Sequence, residues 1–228
     1  IVPIAAFTAS GNMAKLKTAL NEGLADGLTV NEIKEVLVHI YAYAGFPRSL
    51  NGINAFIAVM DERKAQGKVD EMGREASPLP ADFNQNAYGH KVRNTLVGRD
   101  MSHPTSGYPV FTPTTDKFLV EHLFADIFVR DILSHQQREL VTISTLAAMP
   151  GTEAQLKGHL KIAMNTGYSE AQLKNFIAVL RDKVGSQFAD NGAQVLGEVL
   201  GKPLPEASSK AVKVTKNAPP VDASPDYF

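Results

Sequence analysis

The sequence repeats itself over a distance of 140 residues, and this repetition limits the possible folds more than any single motif does. Residue pairs that share this distance are Gly27 and Gly167, Thr29 and Ser169, Gly45 and Gly185, and Gly52 and Gly192. Upstream of these pairs, a one-residue slip aligns IVPIAAFTAS with LVTISTLAAM. One structural unit is therefore predicted to occur twice in the chain.

Each copy of the unit has apolar residues at helical spacing. Apolar residues at positions 13, 16, 20 and 24 mark one face of a helix that ends at Gly27. Thr29 and Glu32 fit a capping box that starts the next helix, which stops near Gly45. Further helices are predicted for residues 49–67, 116–131, 134–149, 152–167, 169–185 and 190–200. The predicted fold class is all-α, with two helical repeats folded as one unit.

Composition divides the chain into four segments. The first repeat covers residues 1–67 and the second covers residues 116–200. Between them, residues 68–115 are rich in proline, glycine, asparagine and threonine, which predicts an irregular connector with one short helix near 86–96. Residues 201–228 show little periodicity and are expected to form an extended arm.

Charge and cysteine content exclude several classes of function. The 23 basic and 24 acidic residues balance to a net charge of −1, which argues against nucleic-acid partners and against attachment to an anionic membrane. No cysteine is present, so these residues offer no disulfide and no thiol chemistry. No apolar run reaches the ~18 residues of a membrane span. A cytoplasmic location is favoured, with secreted or periplasmic locations open because the sequence starts at Ile1.

The two copies differ where chemistry would be placed. Ala19 of the first copy corresponds to His159 of the second, and His39 of the first corresponds to Val179. The run YAYAGFPR likewise corresponds to RDKVGSQF. Unequal copies of this kind favour a site shared between the repeats.

Two segments resemble a known family. EIKEVLVHIYAYAGFPRSLNGINAF (32–56) and RELVTISTLAAMPGTEAQLKGHLKIAMNTGYSEAQLKNFI (138–177) are similar to the carboxymuconolactone decarboxylase family, whose all-helical fold is shared with the AhpD-like alkylhydroperoxidases. The resemblance implies two such repeats, a small-molecule carboxylate substrate, no cofactor and no metal. It also implies a homo-oligomer, either a trimer or a hexamer.

The resemblance also separates two branches of chemistry. Its peroxidase branch uses a glutamate, a CxxC pair and a histidine, and Glu139 and His159 match the glutamate and the histidine. The thiol positions fall on Gln155 and Thr152, neither of which forms a sulfenic acid or a disulfide. The decarboxylase branch needs no thiol, so a carboxy-lyase is expected and a thiol peroxidase is not.

Decarboxylation requires an acid, and two histidines are candidates. An imidazole exchanges protons near neutral pH, so His159, oriented by Glu139, is the first candidate. The alternative for His159 is a core histidine bonded to that glutamate. His39 is a second candidate acid. Its alternative is a polar pair with Glu35, one turn earlier, on a partly exposed helix face.

Substrate binding requires a cation and hydrogen-bond donors. Arg48 is a candidate anchor for the substrate carboxylate, or else a solvated surface charge. Tyr43 is a candidate donor to a developing oxyanion, or else a packing residue. Gln155 and Glu35 complete the predicted binding set. A non-catalytic oligomeric or small-ligand-binding protein remains the alternative to an enzyme.

Overall fold

The computed structural model describes residues 1–204, which form helices and no β-strand. Within this range the α-helices are α1 (Val2–Ser10), α2 (Met13–Ala25), α3 (Val30–Ala65), α4 (Gln85–Val97), α5 (Tyr108–Phe111), α6 (Pro113–Lys117), α7 (His135–Ala147), α8 (Glu153–Asn165), α9 (Glu170–Val179) and α10 (Ser186–Leu200). Two π-helical segments, Phe118–Ile127 and Leu180–Val184, continue α6 and α9. The predicted all-α class is confirmed, and residues 205–228 of the predicted arm lie outside the described range.

Polar side chains fix the starts of α3 and α7. Thr29 Oγ1 accepts a hydrogen bond from the Glu32 backbone at 3.2 Å, and the Glu32 carboxylate accepts one from the Thr29 backbone at 2.8 Å. The predicted capping box is therefore confirmed. Ser134 and Gln137 form the same arrangement before α7. Such caps stabilise a helix start by about 1 kcal/mol each.

Helix α3 bends sharply at Gly45. This residue has φ 78° and ψ 161°, a backbone conformation that favours glycine. Pro47 follows in the first turn of the second half, where its missing N–H costs no helical hydrogen bond. The second half folds back on the first, because Ser49 Oγ donates to the Leu37 carbonyl at 2.8 Å. Gly45 is the one non-helical residue within α3, so the helix resumes directly after it. The predicted start of this second helix near Ser49 is a few residues too late.

The two halves of the chain have closely matching element bounds. Helices α2 and α8 start 140 residues apart and end 140 residues apart. Gly185 breaks the second half where Gly45 breaks the first. Gly52 lies against Leu37, and Gly192 lies against Ile177, so the same contact closes each bend. The two-repeat interpretation predicts this agreement. One continuous apolar core contains residues from both halves, which therefore pack as a single unit.

The connector is anchored to the helical core rather than loose. The backbone carbonyls of Glu71 and Met72 accept hydrogen bonds from the first N–H groups of α3, both at 2.9 Å. Further along, the carboxylate of Asp131 accepts hydrogen bonds from Ser77 and Arg74. Burial opposes ionisation of Asp131, but these hydrogen bonds outweigh it and lower its pKa to about 2. The predicted short helix is present as α4.

Helix α4 packs against the first π-helical segment and forms a second, smaller core. The buried residues of this core are Val92, Leu96, Leu123, Phe124, Ile127 and Phe128, with Tyr43 packed beside them. At Gly89 the two elements approach so closely that a Cβ would collide with the backbone carbonyl oxygen of Val120. Among residues 1–204 no helix is both long and apolar enough to cross a membrane.

We expect Gly89→Ala to destabilise the protein by about 1–3 kcal/mol, because the added methyl meets backbone that cannot rotate away. Gly158→Ala is the matched control, since Gly158 also lies within a helix but has no atom within 4 Å of the added Cβ. The control is expected to be neutral or to stabilise by about 0.5–1 kcal/mol. Denaturant unfolding measures both, and equal effects of the two substitutions would contradict the close approach at Gly89.

Candidate active site

Helix α7 brings three polar side chains into the interior. Arg138, Glu139 and Thr142 all have 0% of their surface exposed. Successive residues on an α-helix point about 100° apart, so neighbours reach different partners. Arg138 contacts α3, whereas Glu139 contacts α8. Residues at the start of α7 therefore contribute side chains to two separate polar clusters.

The first cluster is a carboxylate–imidazole pair. Glu139 Oε2 lies 2.8 Å from His159 Nδ1, and the His159 side chain is 16% exposed. A carboxylate accepts hydrogen bonds, so the proton on this side of the ring belongs to Nδ1. The other nitrogen, Nε2, is then the one available to a ligand. The structure thus brings together the two residues that the sequence interpretation pairs.

Tyr43 packs against this pair from the end of the first half of α3. Its ring meets the His159 ring edge to face, with the two centroids 5.4 Å apart. The Tyr43 hydroxyl and Glu139 Oε1 are both buried and have no hydrogen-bond partner among residues 1–204. Burial, and then the negative charge of Glu139, raise the pKa of Tyr43. Tyr43 is therefore a neutral hydrogen-bond donor.

The second cluster is a buried ion pair. Glu35 is 1% exposed and accepts a hydrogen bond from Arg138 Nη2 at 2.7 Å. Arg130 Nε also donates to both oxygens of Glu35, at 3.1 and 3.0 Å. Arg138 further donates to the Arg130 carbonyl. Glu35 is thus fully used in binding the two arginines.

His39 joins this ion pair to α7. Arg138 Nη1 lies 3.3 Å from His39 Nδ1, and His39 Nε2 lies 2.9 Å from Thr142 Oγ1. A guanidinium only donates, so Nδ1 accepts and the ring proton is on Nε2. Burial, followed by the charges of Arg138 and His159, lowers the pKa of His39 well below its ordinary value. His39 is therefore a neutral ring with both nitrogens occupied.

Part of this arrangement lies in a segment that is similar to known proteins. The sequence model of the carboxymuconolactone decarboxylase family matches residues 113–196. A 4-carboxymuconolactone decarboxylase from Acinetobacter baylyi is 28% identical over 126 residues, which are 55% of this chain and 92% of that protein. Residues 113–196 are therefore similar to the carboxymuconolactone decarboxylase family. The matched segment contains Arg138, Glu139, Thr142 and His159, whereas the α3 residues lie outside it.

Two of the predicted binding residues, Arg48 and Gln155, lie apart from the Glu139–His159 pair. Arg48 is exposed, and its guanidinium lies over Gly11 at the end of α1. A cation there faces the negative end of the α1 dipole, which gives Arg48 a structural role. No hydrogen bond or ion pair within residues 1–204 joins Arg48 to Tyr43, Glu139 or His159. Gln155 is exposed one turn before His159.

Glu35 and His39, the predicted binding residue and candidate acid of the first half, are both buried. The alternative interpretation of His39, a polar pair with Glu35 on a partly exposed face, is wrong because the two residues are 1% and 0% exposed. Arg138 and Thr142, which bind them, were not among the predicted residues. One signal in the sequence could have suggested these contacts. Glu35 and His39 are four residues apart, and so are Arg138 and Thr142, so each helix presents two polar side chains on one face.

We expect acid to destabilise the protein through His39. An unfolded histidine binds a proton below pH ~6.5, whereas the folded His39 does not, so unfolding takes up a proton and stability falls as the pH drops below this value. His135 acts in the same direction, because burial and the charge of Arg138 lower its pKa. Each histidine contributes up to about 1.4 kcal/mol per pH unit.

Denaturant unfolding at pH 7.5 and 5.5 checks this expectation. His39→Gln keeps one donor and one acceptor but does not titrate. Its loss of stability between the two pH values should be smaller than that of the wild type. An equal loss in both proteins would show that His39 protonates freely in the folded state.

Proposed function

We propose that the protein is a cofactor-free carboxy-lyase that acts on a small carboxylated lactone or a related ring-cleavage product. The observation that carries this proposal is the Glu139–His159 pair, 2.8 Å apart, with Glu139 buried, His159 partly exposed and the Tyr43 ring packed against His159. An imidazole with one nitrogen bound to a carboxylate and the other available is suited to proton transfer. The resemblance to a protein named 4-carboxymuconolactone decarboxylase supports the same chemistry.

The reaction would proceed by cleavage of one carbon–carbon bond. The carboxylate of the substrate leaves as CO2, and the bonding electron pair moves through the conjugated lactone onto its carbonyl oxygen. His159, protonated on Nε2, then donates that proton to the substrate carbon as the electron pair returns. A solvent proton restores His159, so one carboxylate and one proton give one C–H bond and CO2.

Glu139 and Tyr43 stabilise charge in this scheme. Glu139 fixes the orientation of His159, because its carboxylate lies 2.8 Å from Nδ1 of the ring. Tyr43 remains a neutral donor and is the residue that would donate to the oxyanion of the lactone. Donors that are fixed before the reaction are effective because they need no reorganisation as charge develops.

A thiol peroxidase is the competing activity within this fold. The positions of its two thiols are held here by Thr152 and Gln155, and the 228 residues contain no cysteine. Thr152 Oγ1 instead donates to the Met149 carbonyl at 2.8 Å, beside the start of α8. This local hydrogen bond gives Thr152 a structural role, and the absence of thiols at both positions supports the lyase over the thiol peroxidase.

The test is a turnover assay of the wild-type protein with 4-carboxymuconolactone, following CO2 release. Muconolactone, which lacks the carboxyl group that is lost, is the substrate control and should release none. A parallel assay with tert-butyl hydroperoxide and a dithiol is expected to show no reduction. A folded protein that releases no CO2 from the lactone would reject this substrate.

A non-catalytic role in binding small ligands is the second candidate. One observation favours it. Cavities of about 460 and 200 Å³ lie beside α10 and between α1 and α2, and neither is lined by Glu139 or His159. Ligand binding without turnover, observed by calorimetry with the same lactone, would support this alternative.

Assembly into a trimer or hexamer remains part of the proposal. The second half of α3 carries Phe46, Leu50 and Ile57, which are 63%, 52% and 54% exposed. Their spacing of four and seven residues places them on one helix face. Sedimentation analysis of the full chain measures the oligomeric state, and a monomer at all concentrations would contradict it.

A further inference from the structure

Three residues of α3 reach the candidate site from outside residues 113–196, the range that the family model matches. Glu35, His39 and Tyr43 follow one another at intervals of four residues and so share one helix face. All three contact residues of α7 or α8, within the matched segment. The first half of the chain therefore contributes directly to the surroundings of His159.

The hydrogen bonds that join His39 to Arg138 and Thr142 have a fixed direction. Arg138 donates to His39, His39 donates to Thr142, and Thr142 Oγ1 donates to the Arg138 carbonyl at 3.0 Å. Each of these side chains is fully buried, so water cannot replace a partner. The plane of the His39 ring is thereby fixed at both nitrogens.

The His39 ring in turn limits the position of Tyr43. The His39 and Tyr43 ring centroids are 5.3 Å apart, and the His39 and Phe128 ring centroids are 5.5 Å apart. Within residues 1–204 the Tyr43 hydroxyl makes no hydrogen bond of good geometry, although Thr142 is close enough to act on its pKa, so ring packing is the main contact that places this side chain. On its other edge, Tyr43 contacts the His159 ring.

We propose that His39 is a positioning residue, which holds Tyr43 against His159 through its fixed hydrogen bonds to Arg138 and Thr142. This inference rests on the proposed function for the meaning of the site, but the geometry it describes does not depend on turnover. His39 transfers no proton in this role. The carboxymuconolactone decarboxylase-like segment therefore depends on α3 for the aromatic ring that packs against its own histidine.

Two substitutions of His39 separate positioning from proton transfer. His39→Gln keeps an acceptor for Arg138 and a donor for Thr142, whereas His39→Leu removes both. We expect His39→Leu to lower kcat/KM for the lactone by about 10–100-fold, as a misplaced catalytic group does, and His39→Gln to restore most of it. In a Tyr43→Ala background, His39→Leu should add no further loss.

A measurement without turnover accompanies the kinetics. In the full chain with isotope-labelled histidine, the ring-proton chemical shifts of His159 at fixed pH report the nearby Tyr43 ring. His39→Leu should move these shifts, and His39→Gln should leave them near the wild-type values. Thr142→Val, which keeps the side-chain shape, is the second variant if His39→Leu does not fold, and it should also move them.

Three results would overturn the inference. One is unchanged His159 shifts in both His39→Leu and Thr142→Val. Another is a loss of activity that His39→Gln does not restore, because this would assign proton transfer to His39. The third is a full additional loss in the Tyr43→Ala background. If the wild type does not act on the lactone, the proposed function fails while the His159 shifts still decide the positioning role.

Discussion

Arg138→Met is expected to destabilise the protein by about 3–5 kcal/mol. Arg138 and Glu35 are 0% and 1% exposed, and their closest atoms are 2.7 Å apart. Removal of the cation leaves the Glu35 carboxylate buried beside α7, and desolvation of a charge that has lost its main partner is costly. His39 loses the donor to its Nδ1 in the same step. Denaturant unfolding at pH 7.5 measures the change.

Arg130→Met is the matched control, since Arg130 binds the same carboxylate but its side chain is 41% exposed. Its loss is expected to be below about 1 kcal/mol, because water reaches this ion pair. The double substitution Glu35→Leu with Arg138→Met should recover much of the stability, since a buried ion pair is often replaceable by apolar side chains. Equal losses of stability for Arg138→Met and Arg130→Met would contradict the prediction that Arg138 is the main partner of Glu35.

His159→Ala is expected to lower the rate of CO2 release by about 10²–10⁴-fold, the usual contribution of a positioned acid. The reason is that His159 is the ring with a free nitrogen beside Tyr43, and its other nitrogen is bound to Glu139. The measurement is kcat for the lactone in wild-type and variant proteins. Far-ultraviolet circular dichroism shows whether the variant is folded.

The chain offers a close control for this experiment. His122 Nδ1 lies 2.8 Å from Asp126 Oδ2, the same distance as in the His159–Glu139 pair, but the His122 side chain is 50% exposed. His122→Ala should leave the rate within about twofold of wild type, because a solvated pair on a helix surface contributes little. A similar loss in both variants would remove the special role of His159.

The fold was predictable where its cause is local. Apolar spacing predicted the helices, and the Thr29–Glu32 capping box was read directly from adjacent residues. The π-helical segment at Phe118–Ile127 was not predicted, because its pattern of apolar residues also fits an α-helix. The close approach of Gly89 of α4 to Val120 in this segment is a tertiary contact, which apolar spacing does not show.

The candidate site was predictable only in part, for the same physical reason. The Glu139–His159 pair lies within one helical hairpin, separated by 20 residues, and was proposed from the sequence. The Glu35–Arg138 contact joins residues 103 positions apart, and nothing near either residue indicates the other. Arg48 was considered as an anchor because of its charge. Its position over Gly11 depends on the bend at Gly45.

The ion pair at Glu35 also bears on how the protein is synthesised. The partners of Glu35 follow 95 and 103 residues later, so most of the chain must leave the ribosome before this carboxylate is neutralised. Until then the apolar faces of α1 and α3 lack the α7 surface against which they pack, a state prone to non-native association. Completion of α7 is the step that lets the earlier half reach its final packing.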